Sequence, residues 1–140
     1  MNFKISKILN LNSYPSHPFN NLVINFLDEF SRELKKTKDI YRYSDLVYLI
    51  QWCRKKKIEN LKKTIFPYET RLGKGLIFHI CPSNVPTNFI YSFFFGLLSG
   101  NSNIIKMPSV NSYQKKIIIK SINKILSKKK FIKIKESNYF

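Results

Sequence analysis

The residues of this chain best placed to do chemistry lie between Leu72 and Ser109. An apolar run, Leu76 to Cys81, ends in Pro82-Ser83-Asn84-Val85-Pro86, a polar loop bounded by prolines. Proline fixes its own backbone angle and resists helix, so the loop would hold the Asn84 amide in a stiff, non-helical frame. Open α/β sheets take their ligands at the carboxyl ends of strands, which makes that amide a candidate ligand contact. The plainer alternative is an asparagine that satisfies loop backbone groups. Lys106 closes a second strand-like stretch, Asn103 to Met107. A cation there can reach ribose hydroxyls or a phosphate, and the alternative is one surface lysine among many. Ser109 follows at the expected start of a helix, where free backbone N–H groups suit an anion and equally an ordinary cap.

Two further residue types invite a nucleophile. Cys81 ends the first strand and His79 lies two residues before it, so both point to one face of the strand. A thiol beside an imidazole is the arrangement of an activated nucleophile, yet a small thiol inside an apolar strand is more simply core. Cys53 and Cys81 are too far apart in sequence for a paired metal motif and have no histidine cluster near them. They imply no metal site and a reducing, cytoplasmic setting.

The elements that must position these residues follow from periodicity. Met1 to Asn21, with Pro15 and Pro18, reads as a loose lead-in. Leu22, Val23, Phe26, Leu27, Phe30 and Leu34 recur at helical spacing from Asn20 or Asn21 to about Lys36. A second helix is expected from Ser44, as N-cap, through Cys53 to the basic turn Arg54–Lys57. A shorter one spans Ile58–Ile65, before Pro67. Residues 1–70 thus form a helical segment, and Tyr68 to Gly75 marks the boundary to residues 71–140. There Leu76–Cys81 has the pattern of a parallel strand buried on both faces. Thr87 or Asn88 caps a helix to Ser99, and Gly100 supplies its left-handed end. After Asn103–Met107, a helix starting at Ser109 or Asn111 carries Ile117, Ile118, Ile122, Ile125 and Leu126. The alternation in Phe131–Lys135 reads as a third, edge-like strand.

Composition bounds the partners. With 140 residues and 44% hydrophobic content, the chain can bury one modest core. Net charge is +17, yet 21 of the 25 basic residues are lysine, whereas base and bidentate phosphate readout favour arginine. Lysine together with abundant isoleucine and asparagine is the mark of an AT-rich coding sequence, which argues against nucleic acid. A polyanion site stays open around Arg54–Lys63 and Lys115–Lys135, as would befit a small basic protein binding nucleic acid or an anionic surface. The longest apolar run, Phe89–Leu98, spans ten residues, too few for a bilayer.

The segment also resembles a known family. Gly75-Leu76-Ile77-Phe78-His79-Ile80, Pro82-Ser83-Asn84-Val85-Pro86, Asn88-Phe89, Gly96-Leu97-Leu98, Gly100-Asn101 and Pro108-Ser109 stand where the acyl-CoA reductases of the bioluminescence type, the fatty-acid reductases of the aldehyde dehydrogenase superfamily, carry such residues. The resemblance implies an α/β fold: amino-terminal helices, then the first βαβαβ part of a Rossmann-like nucleotide-binding domain, incomplete. It implies NADPH-dependent reduction of a fatty acyl thioester to an aldehyde through an acyl-cysteine. Asn84 would help form the oxyanion hole, Lys106 would reach the adenosine ribose, and Ser109 would lie with it at the cofactor. In the wider superfamily proline and serine follow that lysine directly, whereas Met107 intervenes here. The family places its nucleophilic cysteine and general base in a later segment than any matched here. The resemblance therefore implies a chain inactive alone, a truncated product or one whose missing region a partner polypeptide supplies.

Overall fold

The computed structural model describes residues 13–65 and 71–140. The expected lead-in over Met1–Asn12, the stop at Pro67 and the start of the boundary at Tyr68 lie outside the described residues. Helix α1 spans Asn21–Lys35, and Asn20 caps it by accepting from the Val23 backbone N–H at 3.0 Å. Its apolar stripe, including Phe26, Leu27, Phe30 and Leu34, is fully buried. Phe26 meets Phe93, Phe94 and Phe131 edge-on, with ring centres 5.4 to 6.4 Å apart. The amino-terminal helices and the sheet-forming half therefore share one apolar core.

The next two helices depart from the expected boundaries. Helix α2 is Ser44–Trp52, and its N-cap is Tyr43 with no side-chain bond. Ser44 is the first helical residue, and Asp45 accepts from the Leu46 N–H instead. The basic turn does not close α2. Helix α3, Lys55–Ile65, begins inside it. Three lysines at a helix amino end oppose the dipole, and the Asp28 carboxylate of α1 offsets this by accepting from the Lys55 N–H at 2.9 Å. A cap supplied from another helix leaves no local sequence signal.

Strands β1 (Leu76–Ile80), β2 (Ser102–Lys106) and β3 (Asn138–Tyr139) form one parallel sheet in that order. Helix α4, Asn88–Leu98, joins β1 to β2 and is buried along most of its apolar run. Its end has the geometry of a Schellman cap: the Gly100 N–H reaches Leu97 and the Asn101 N–H reaches Gly96. Gly100 has φ +81°, and a β-carbon there would overlap the Ser16 carbonyl oxygen. Gly96 is required for space, because a β-carbon would overlap the Asn103 side-chain oxygen.

Two strand expectations are corrected. β1 is not buried on both faces: Leu76, Phe78 and Ile80 are 46%, 51% and 71% exposed. Among the described residues it pairs only with β2, and the face carrying those three side chains is left to solvent while Ile77, His79 and Cys81 are the more covered positions. Phe131–Lys135 is not a strand either. Phe131 ends a 3₁₀ turn, Lys129–Phe131, and Ile132–Glu136 forms the short helix α6. Phe131 and Ile134, three residues apart, are buried while Ile132, Lys133 and Lys135 face solvent, so helical spacing wins over the apparent alternation. The third strand comes just after. Asn138 pins it by accepting from both the backbone and the side-chain N–H of Asn103, each at 2.8 Å.

Candidate functional site

The carboxyl ends of β1 and β2 bring the three sequence-marked residues to one edge of the sheet. Ile80 pairs in register with Lys106, so the Pro82–Pro86 loop and the Met107–Asn111 loop leave neighbouring strands side by side. The hydroxyls of Ser83 and Ser109 approach to 3.4 Å. Asn84, Lys106 and Ser109 are all solvent-exposed. The Asn84 amide has no hydrogen-bond partner among the described residues, so it is open to a ligand.

Helix α5, Tyr113–Leu126, starts later than the sequence suggested. Ser112 is its cap, accepting from the Lys115 N–H at 3.1 Å. Ser109 is thereby released from any capping duty and stays in the loop. Lys115, which in sequence is only the first of a basic stretch, holds this loop in place. Its ammonium donates to the carbonyls of Pro108 at 2.6 Å and Val110 at 3.3 Å. A lysine three positions past a serine cap carries no signature in sequence, since it acts on backbone oxygens.

The edge is electropositive. No aspartate or glutamate occurs between Arg71 and Lys135, so Lys106 faces no local carboxylate from its own segment. That suits a phosphate-bearing ligand.

The thiols behave as core. Cys53 is fully buried, and burial drives its pKa well above the ordinary value. Burial also raises Cys81, against a hydrogen bond with Ser92. His79 turns its Nε2 to the Asn103 side-chain oxygen at 2.9 Å rather than to a thiol. Asn103 is itself fully buried and also donates to the Asn101 carbonyl at 3.1 Å. Among the described residues no buried side-chain N or O atom lacks a partner, so the His79–Asn103–Asn138 chain is a closed structural network. Among the described residues no group of three or more His, Cys, Asp or Glu could hold a metal ion, and no helix is long and apolar enough to cross a membrane.

No curated protein and no solved structure matches the chain. A family model, that of acyl-CoA reductase (LuxC), matches residues 19–134. That span runs from the start of α1 into α6 and holds both loops of the sheet edge, and it identifies the chain as a member of the acyl-CoA reductase (LuxC) family.

Proposed function

We propose that this chain supplies the oxyanion donor and part of the dinucleotide site of an NADPH-dependent fatty acyl-CoA reductase, within a Rossmann-like domain of the aldehyde dehydrogenase type. The observation that carries the reading is the unbonded Asn84 amide in a proline-bounded loop at the carboxyl edge of a parallel sheet, beside the Lys106–Ser109 loop. When a thioester carbonyl is attacked, its oxygen gains negative charge. The Asn84 Nδ2 donates to that oxygen, and a preformed donor is worth about 2.7 to 4 kcal/mol of barrier. Lys106 and the Ser109 hydroxyl bind and orient the nucleotide end of the cofactor, Lys106 through ribose hydroxyls or phosphate. The residues fit such a group because the edge is cationic and lacks carboxylates. The nicotinamide cofactor supplies the hydride.

The acyl-accepting cysteine is not in this chain. Both its thiols are buried with raised pKa values, the opposite of an activated nucleophile. The purified chain given a long-chain acyl-CoA and NADPH is therefore expected to form no aldehyde, and steady aldehyde formation contradicts this. In an active enzyme that contains this segment, Asn84→Ala is expected to lower kcat by about 100- to 1,000-fold. An unchanged kcat removes Asn84 from the oxyanion role.

A further inference from the structure

A cavity of about 630 Å³ opens between α2 and the amino end of α3, and its wall also reaches α4. Tyr48, Trp52 and Tyr91 supply aromatic rings, and Arg54, Lys56 and Lys57 supply three positive charges within four residues. Among the described residues no carboxylate lines it. Its volume is that of a small-molecule site.

Each half of this lining is poised rather than used up. The Trp52 ring is fixed by its neighbours: parallel to Phe94 at 6.4 Å and edge-on to Tyr91 at 5.7 Å and Phe95 at 5.2 Å. Tyr48 lies one helical turn before it on the same face and is 72% exposed. A large ring left in water serves no packing role. The charges are equally uncommitted. Lys55 pairs with Glu59, and the lysines at 124, 128 and 130 pair with Glu33 and Glu29. No salt bridge among the described residues takes Arg54, Lys56 or Lys57. Among the described residues the Arg54 guanidinium bonds only the neutral Gln51 oxygen, at 3.2 Å.

A fixed Trp52 ring and an exposed Tyr48 ring beside unpaired cations match the two ends of a nucleotide: a flat base that stacks and phosphates that need countercharge. We infer that this cavity is a binding site for a free nucleotide, with the base against Tyr48 and Trp52 and the phosphates on Arg54, Lys56 and Lys57. It is separate from the sheet edge, lying on the helical half of the fold, and it does not depend on the reductase reading. A concavity of about 630 Å³ bounded by α2, α3 and α4 has room for one nucleotide, which favours the free form over a strand running along the surface.

Trp52 is the only tryptophan in the chain, so its fluorescence reports on this site alone. Titration with ADP is expected to quench it saturably. Tyr48→Ala and the pair Lys56→Glu with Lys57→Glu are each expected to weaken ADP about tenfold, while Lys106→Ala leaves it unchanged. All of these positions are exposed, and an unaltered circular dichroism melt shows that the variants fold. Inorganic pyrophosphate is expected to bind more weakly than ADP. Absence of saturable quenching overturns the site, and so does pyrophosphate binding as tightly as ADP. An oligothymidylate that binds more tightly as it lengthens, where ADP leaves Trp52 unchanged, also overturns it and assigns the surface to single strands.

Discussion

Ser83 and Ser109 face each other at 3.4 Å across the carboxyl end of the sheet. This contact ties the loop that carries Asn84 to the loop that follows Lys106. The candidate oxyanion donor and the candidate cofactor contacts are therefore set by one pair of adjacent strands, and each loop restrains the other.

Loosening one loop should then be felt at the cofactor. Lys115→Met removes the ammonium that holds the Pro108 and Val110 carbonyls and leaves Lys106 and Ser109 in place. NADPH affinity is expected to fall about three- to tenfold with little change in melting temperature, as read by cofactor fluorescence and calorimetry. An unchanged affinity would mean that Lys115 serves the loop without serving the site.

Gly96→Ala is expected to destabilise the fold by about 1 to 3 kcal/mol, the usual cost of overpacking a core. The new methyl would overlap the side chain of Asn103, which cannot retreat because it is bonded to His79, Asn101 and Asn138. Urea denaturation measures it. In an Asn103→Ala background, itself destabilised by the loss of these bonds, the added cost of Gly96→Ala should shrink, since the obstacle is gone.

Both cysteines should resist alkylation in the native protein. Burial raises both pKa values, so little thiolate forms near neutral pH. Iodoacetamide followed by mass spectrometry is expected to modify neither thiol in the folded chain and both after denaturation. Fast modification of Cys81 alone would reopen it as a nucleophile.

Acid should unfasten α1 from the turn after α5. Glu29 accepts from Lys128 and Lys130, and Glu33 from Lys124 and Lys36. For Glu33 the Lys124 hydrogen bond leads the lowering; for Glu29 burial opposes it, and the two lysines together prevail. A carboxyl held below its unfolded value near 4.5 contributes stability above that pH and loses it as pH falls through the lower folded value. Melting temperature should therefore decline in that window, and Glu29→Gln with Glu33→Gln should flatten the decline. The effect is modest, as exposed ion pairs are.

Much of this fold is written in local sequence. The stripe from Val23 to Leu34, the apolar run Phe89–Leu98 and Gly100 gave α1, α4 and its end directly, because each follows from spacing or from a backbone conformation that glycine takes freely. What sequence hid was settled by distant partners. Lys55 begins a helix because Asp28, 27 residues earlier, accepts its N–H. Phe131 and Ile134 turn inward as a helix because Phe26 and the core await them, and the strand passes to Asn138 because Asn103 fixes it there. β1 read as doubly buried because its composition is apolar, and composition does not say how many layers a sheet receives. The placement of Asn84, Lys106 and Ser109 after strand ends was legible by position, whereas the Ser83–Ser109 contact and the Lys115 brace depend on where two loops meet in space.

Direct binding of NADPH to the purified chain tests whether the sheet edge at Lys106 holds a dinucleotide. In the Tyr48→Ala background, where the helical nucleotide site is impaired, saturable enhancement of cofactor fluorescence is expected and is weakened about tenfold or more by adding Lys106→Ala. No binding, or binding indifferent to Lys106→Ala, would contradict it.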